Sequence, residues 1–265
     1  MSYCYAFANQ KGGVGKTTTV VNVAAVIAEW GHDVLVVDVD PQSNATTSMG
    51  FNARDLDLSI YDVLLGEISA QDAVRSTDWR CLSLLPSTPA VAGVPVELNQ
   101  LSPAQRVRRL RLALSDLVDV YEYILIDSPP SLGVLTVNAL VAASAVVIPV
   151  QCEYLALEGL SQLIHTIGLV RRGLNPALAL RGLVLTMADA RTTLSKEVIN
   201  EVKRHYTDQV FDTVIPRSVR LSEAPSYGEP GVLYAPRSSG AVAYLTLTRE
   251  LLLGDGQKVA WEPEA

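Results

Sequence analysis

The residues best suited to chemistry lie near the start of the chain, in Asn9-Gln10-Lys11-Gly12-Gly13-Val14-Gly15-Lys16-Thr17-Thr18-Thr19. This mixture of glycines, lysines and threonines suits one task, holding a polyphosphate. Gly12, Gly13 and Gly15 carry no Cβ, so the backbone can turn tightly and aim its N–H groups at an anion. Lys16 would reach the β- and γ-phosphates, and the Thr17 hydroxyl would ligate Mg²⁺. Val14 and Thr18 complete the cradle. An apolar run, Tyr3 to Ala8, leads in, and an Ala-rich run, Val20 to Ala28, leads out. That is the strand–loop–helix context such a loop requires, and the helix adds its positive N-terminal end. The usual pattern, G-x-x-x-x-G-K-S/T, is broken once: Gln10 stands where the first glycine belongs. In exchange, Lys11 supplies a second lysine. A glycine-rich turn that binds nothing is the bland alternative, and the density of lysine and threonine argues against it.

Two further stretches place carboxylates at strand ends. In Val34-Leu35-Val36-Val37-Asp38-Val39-Asp40-Pro41-Gln42 the strand ends near Asp38, which puts Asp40 on the following loop. Ligands of parallel sheets bind at the carboxyl ends of strands. A carboxylate there can orient or deprotonate an attacking water, which makes Asp40 a candidate for that chemistry. Asp38 is expected to support the metal shell or the loop. Tyr123-Ile124-Leu125-Ile126-Asp127-Ser128-Pro129-Pro130 is a second apolar strand ending in aspartate. Asp127 is expected to hold Mg²⁺ through water, with the proline pair stiffening a switch loop.

The elements that must position these residues alternate along the chain. Strands are expected at Tyr3–Ala8, Val34–Asp38, Cys81–Leu85, Tyr123–Asp127, Ala145–Val150, Leu183–Met187 and Val210–Ile215. Several are unbroken Val/Ile/Leu runs, the mark of strands buried on both faces. Helices are expected at Thr17–Trp30, Ala104–Val118, Leu132–Ala143, Leu155–Arg172, Leu194–Tyr206 and Ser239–Leu253. Gly31 falls where a helix C-cap belongs, and Pro103 where a helix should open. This alternation predicts an α/β fold, a doubly wound, mostly parallel sheet flanked by helices. With no long linker or repeat, residues 1–254 read as a single domain and 255–265 as a short, polar, frayed tail carrying Trp261.

Composition narrows the function. The chain has 265 residues with a net charge of −7. Taken alone, this acidity argues against a nucleic-acid binder, so any DNA contact must use a local cationic patch. No apolar run reaches the roughly eighteen residues of a membrane span, and no signal peptide is expected. Cys4, Cys81 and Cys152 are far apart and odd in number, which argues against a disulfide framework or zinc site.

The K-G-G-x-G-K-T loop resembles the deviant Walker A loop of the ParA/MinD class of ATPases. In that class the early lysine, here Lys11, reaches across a dimer to the partner's ATP, and the aspartate of the D-P-Q element, here Asp40, activates the attacking water. The resemblance implies that Lys11, Lys16 and Asp40 are catalytic. The resemblance runs from Tyr3 to about Leu252 and includes D-x-D-P-Q at Asp38–Gln42 and D-S-P-P at Asp127–Pro130. Thr186-Met187-Ala188-Asp189-Ala190-Arg191 and Ile215-Pro216-Arg217-Ser218-Val219-Arg220-Leu221-Ser222-Glu223-Ala224-Pro225 resemble the chromosomal ParA (Soj) subgroup. The resemblance implies that Pro216, Arg217, Ser218 and Val219 help hold the adenine, although relatives often carry Asn in place of Ser218. It implies that Arg191 and Arg220 bind DNA non-specifically. The stretch Val150–Gly159 resembles an element near the family's dimer interface; from its chemistry alone it is a helix start with acidic residues in the first turn.

The expected function is then a ParA-type, Mg²⁺-dependent ATP hydrolase of slow intrinsic turnover, working in DNA segregation. Its ATP-bound homodimer would coat double-stranded DNA, and a ParB-like protein would trigger hydrolysis and release. The location implied is cytoplasmic and nucleoid-associated. A MinD-like, membrane-switched ATPase is the alternative. It needs a basic amphipathic C-terminal helix, and the last twelve residues hold one lysine, three acidic residues and a proline. An iron–sulfur carrier needs bridging cysteine pairs, which are missing. A dead ATPase is disfavoured because the expected catalytic positions are filled. The helix carrying Arg106, Arg108, Arg109 and Arg111 is a second candidate patch, equally readable as a solvated face. Because the loop begins at once, no N-terminal operator-binding domain is expected.

Overall fold

The computed structural model describes residues 2–153 and 156–259, except the side chains of 156–158. Eight strands form one sheet: β1 Tyr3–Phe7, β2 Val34–Asp38, β3 Arg75–Ser76, β4 Leu82–Leu85, β5 Tyr123–Asp127, β6 Ala145–Gln151, β7 Ala179–Ala188 and β8 Val210–Pro216. Their spatial order is β3-β4-β2-β5-β1-β6-β7-β8. Neighbours pair in parallel except β3 with β4. The expected doubly wound sheet is therefore present. The two-residue β3 carries too little sequence pattern to announce itself.

Strand alternation explains the layers. Cys4, Ala6 and Ala8 project into one apolar core, and Tyr5 and Phe7 into the other. Side chains two apart share a face, so each buried strand serves both cores. The first core is closed by α2 (Val134–Ala142), α3 (Ala156–Gly173) and α4 (Thr193–Tyr206). The second is closed by α1 (Lys16–Glu29) and α5 (Ser239–Gly254). Helix α1 is apolar over most of its circumference because it lies under α5 as well as on the sheet, with Thr19 to Ala28 all buried. Gly31 ends it at φ 95°, a left-handed turn that a side chain would resist.

Two expectations are corrected. Residues 104–118 do not form one helix: they break into helical turns Pro103–Arg106 and Arg109–Ala113. Asn138 of α2 explains the break. Its Oδ1 accepts from Leu110 N (3.1 Å) and its Nδ2 donates to Arg106 O (2.8 Å), replacing intrahelical bonds. The arginines are not one cationic face either, since Arg109 turns inward and donates from Nε to Leu64 O at 2.7 Å.

The second correction concerns the tail, which is anchored at its first residue. The Asp255 side chain is 3% exposed. It accepts from Tyr5 OH (2.6 Å), Tyr123 OH (3.3 Å) and Arg181 Nε (3.0 Å). Tyr3 OH donates to the Asp255 carbonyl at 2.6 Å. Trp261 lies outside the described residues. Asp255→Ala would take the shared acceptor from half-buried Arg181 and from two tyrosine hydroxyls, and should cost about 3 kcal/mol. Thermal unfolding would read this as a melting temperature lowered by several degrees.

Candidate nucleotide site

Register brings the chemistry together. Phe7, Asp127 and Asp38 lie side by side, since β5 pairs with β1 at Phe7↔Asp127 and with β2 at Asp38↔Asp127. The glycine loop leaves β1 directly above them. Gly13 (φ 73°) and Gly15 (φ 85°) take left-handed backbone, and Gly15 stands at the N-terminus of α1. Side chains would strain both turns. Gln10 fits because it does not point into the loop: its Nε2 donates to Gly159 O at 3.2 Å. Asn9 fixes the loop's entry, donating from Nδ2 to Pro149 O at 2.7 Å and accepting Lys11 N at 3.0 Å. Val14 is buried, and its carbonyl accepts from Thr186 Oγ1 at 2.8 Å, tying the loop to β7.

Beneath the loop the charges are buried and close. Lys16 is 6% exposed, and its ammonium donates to Lys11 O at 3.3 Å. Burial lowers its pKa, against the opposing pull of Asp127 and Asp40. Thr17 Oγ1 donates to Asp127 Oδ2 at 2.7 Å. Asp127 Oδ1 is buried with no hydrogen-bond partner among the described residues. Burial raises the Asp127 pKa well above the usual carboxylate value, aided by Asp38 and opposed by Thr17 and Lys16. A buried, unpaired carboxylate oxygen is costly, and a cation beside it would remove the cost. Thr17 and Asp127 therefore fit a Mg²⁺ ion that takes few protein ligands and completes its shell with phosphate oxygens and water.

Asp38 is employed differently from a metal ligand. Its Oδ1 accepts from Asp40 N (3.1 Å), and its Oδ2 accepts from Thr46 N (2.9 Å) and Thr46 Oγ1 (2.8 Å). Both oxygens bind its own loop, so the metal-shell expectation gives way to loop support. Burial raises its pKa to about 6. Asp40 is held by that loop, with Gln42 N donating to its Oδ1 at 2.9 Å and Ser87 Oγ donating to its carbonyl at 2.7 Å.

These residues line a cavity of about 310 Å³, walled by Gly12, Gly13, Gly15, Lys16, Thr17 and Thr18 on one side and by Asp40, Gln42 and Pro130 on the other. A second cavity of about 200 Å³ shares Gly15, Thr18, Met187 and Pro225 with it. Pro216, Arg217 and Ser218 line this second lobe, with Tyr244 at its wall. A charged lobe joined to a less polar one suits a nucleotide, phosphates in the first and base in the second. Val219 departs from the expected adenine contact. It is 71% exposed and does not line the lobe, because it opens the helical turn Val219–Glu223. Met187, which sequence reading left without a role, lines both lobes with a left-handed backbone (φ 52°).

The two candidate DNA arginines follow neighbouring strands, Arg191 on the loop after β7 and Arg220 in the helical turn after β8, since β7 and β8 pair at Ala188↔Pro216 and each arginine follows within four residues. Arg191 forks onto Asp189, with Nε at 2.9 Å and NH2 at 2.7 Å. Arg220 pairs with Glu223 at 2.8 Å. Both are largely exposed. Lys11 is turned toward its own β6, donating to Gln151 Oε1 (3.3 Å) and Glu153 Oε2 (3.2 Å). Sequence reading gave Gln151 and Glu153 no catalytic role and no link to Lys11, because nothing local pairs them with a loop some 140 residues earlier. Of the same stretch, the side chains of Tyr154–Glu158 lie outside the described residues.

Comparison with known proteins agrees with this geometry. The AAA domain family matches residues 3–180. The Bacillus subtilis sporulation initiation inhibitor protein Soj is 51% identical over 251 residues, covering 95% of this chain and 98% of that protein. The Myxococcus xanthus chromosome partitioning protein ParA is 49% identical over 250 residues, covering 94% of this chain and 88% of its own. The structure of cobyrinic acid a,c-diamide synthase from Mycobacterium smegmatis with bound ADP and magnesium superposes with a TM-score of 0.85. It is 38% identical, and the match covers 97% of this chain and 98% of that one. With its two-lysine loop, its paired strand-end aspartates and these relatives, the chain belongs to the ParA/Soj family of P-loop ATPases.

Proposed function

We propose that this protein is a DNA-partitioning ATPase whose ATP-bound dimer binds DNA non-specifically. The observation that carries the reading is the burial of Lys16 and Asp127 under a two-lysine glycine loop, with half-buried Thr17 bonded to Asp127 and Asp40 lining the same cavity as Lys16 and Thr17. The 45–51% identity to proteins named for chromosome partitioning or Soj supports it. The synthase name belongs to structures 37–38% identical.

In this reading the N–H groups of Gly12–Thr18 and the ammonium of Lys16 bind the β- and γ-phosphates of ATP. Thr17 and Asp127 hold Mg²⁺, which when bound neutralises phosphate charge. Asp40 orients the attacking water and accepts its proton as the water oxygen bonds to the γ-phosphorus and ADP departs. Asp38 keeps the Asp40 loop in place. Pro216, Arg217 and Ser218 enclose the base. Lys11 serves the partner's nucleotide, which makes closure of two subunits depend on ATP. No described helix is long and apolar enough to cross a membrane.

The DNA step follows from charge. A chain of net charge −7 repels a polyanion overall. Dimerisation doubles the arginines presented together, and phosphate contacts of this kind release counterions and carry no sequence preference. A ParB-like partner would then stimulate hydrolysis and release. The arginines test the DNA step. On random duplex DNA with an ATP analogue, Arg220→Ala should weaken retention at least about tenfold while the protein still dimerises, and Arg191→Ala should act in the same direction. Undiminished retention by both variants would remove these arginines from the interface.

A further inference from the structure

The signature lysine is held in its own subunit by a built network. Asn9 ties the start of the loop to the end of β6, through Nδ2 to Pro149 O and Oδ1 from Lys11 N. The Lys11 ammonium then lies between Gln151 Oε1 and Glu153 Oε2. Gln151, nine-tenths buried, donates from Nε2 to Glu153 Oε1 at 2.6 Å, so the carboxylate is braced. The same carboxylate lies 3.7 Å from Arg217 NH2, on the loop that lines the base lobe. One acidic group thus faces both the lysine expected to leave and the loop expected to meet the base.

We propose that Glu153 is a latch that holds Lys11 in the monomer and sets the threshold for dimer closure. The inference rests on the reading of Lys11 as the residue that serves the partner's nucleotide. For Lys11 to cross, its contacts with Glu153 and Gln151 must break in each subunit. The pair is 37% and 46% exposed, so each latch is weak and readily released. Two latches open per dimer, which amplifies the effect. Arg217 competes for the same carboxylate, so a base that repositions Arg217 changes the hold on Lys11.

Sedimentation of the full chain across concentration, with a non-hydrolysable ATP analogue, tests this. Glu153→Gln, which removes the charge but keeps the size, should lower the dimer dissociation constant roughly three- to twentyfold, the range two exposed pairs allow. Glu153→Ala should act in the same direction. The gain should vanish in a Lys11→Ala background. In the ADP-bound protein, an amine-reactive probe read by mass spectrometry should label Lys11 several-fold faster in Glu153→Gln than in wild type. Dimerisation that is unchanged or weaker in both Glu153 variants, with wild type dimerising normally, overturns the latch and leaves the ATPase-dimer reading standing. A wild-type chain that stays monomeric with the analogue overturns both.

Discussion

Lys16→Ala should abolish nucleotide-dependent behaviour while leaving the fold in place. Lys16 is 6% exposed, and the charges of Asp127 and Asp40 act on its ammonium. It is the buried cation of the loop, whereas Lys11 is half exposed. On the proposed reading the Lys16 ammonium meets the β- and γ-phosphates. Truncating one member of a buried charge pair costs about 2–5 kcal/mol. At about 1.4 kcal/mol per tenfold, ATP affinity should fall at least about 30-fold. Titration calorimetry with ATP checks the binding loss, and phosphate release checks the accompanying loss of turnover. Melting should fall modestly, because the substitution removes the ammonium's desolvation cost but leaves the buried Asp127 carboxylate without its opposing charge. Wild-type affinity in Lys16→Ala would displace the phosphates from this loop.

Asp40→Ala should separate binding from hydrolysis. Asp40 faces the glycine loop across the cavity and is carried on a loop that Asp38, Thr46 and Ser87 brace from behind. On the proposed reading it is not required to hold the phosphates, a task assigned to the loop N–H groups and Lys16. A residue that positions and deprotonates water contributes roughly 10²–10⁴-fold to rate. Turnover of Asp40→Ala should therefore drop by about that factor, with ATP binding retained or slightly tightened by the loss of a nearby negative charge. Single-turnover phosphate release, set beside ATP titration, reads both quantities. Equal losses in binding and rate would reassign Asp40 to ligand binding. Asp38→Ala differs in kind. It should loosen the Asp40 loop and lower stability as well as rate, because it leaves Thr46 N and Oγ1 without their acceptor.

Much of this site was legible because its chemistry is local. A glycine loop between strand and helix carries its own context, and Val34–Asp38 and Tyr123–Asp127 are apolar runs ending in aspartate. What sequence reading missed depends on partners far along the chain. Asn138 breaks the 104–118 helix through two hydrogen bonds from another element. Asp255 looks like a polar tail residue until β1, β5 and β7 are brought beside it. Asp38 reads, from its position at a strand end, as support for either the metal shell or the loop, and only the contact with Thr46, eight residues on, shows its carboxylate bound to the loop. Val219 sits within a loop motif but opens a helical turn that points it outward. In each case periodicity and motif report the backbone path, while the side chain's role is set by a contact between elements that neither contains.

The central claim is that ATP switches DNA affinity in an acidic protein. The most direct measurement is binding to random-sequence duplex DNA with ATP analogue, with ADP and without nucleotide, at several salt concentrations. The account predicts binding with the analogue alone, and an affinity that falls steeply as salt rises, as phosphate contacts require. Equal binding in all three nucleotide states would contradict the switch. No binding in any of them would mean that the net charge of −7 governs the whole surface, and that the ATP-driven closure serves a cargo other than DNA.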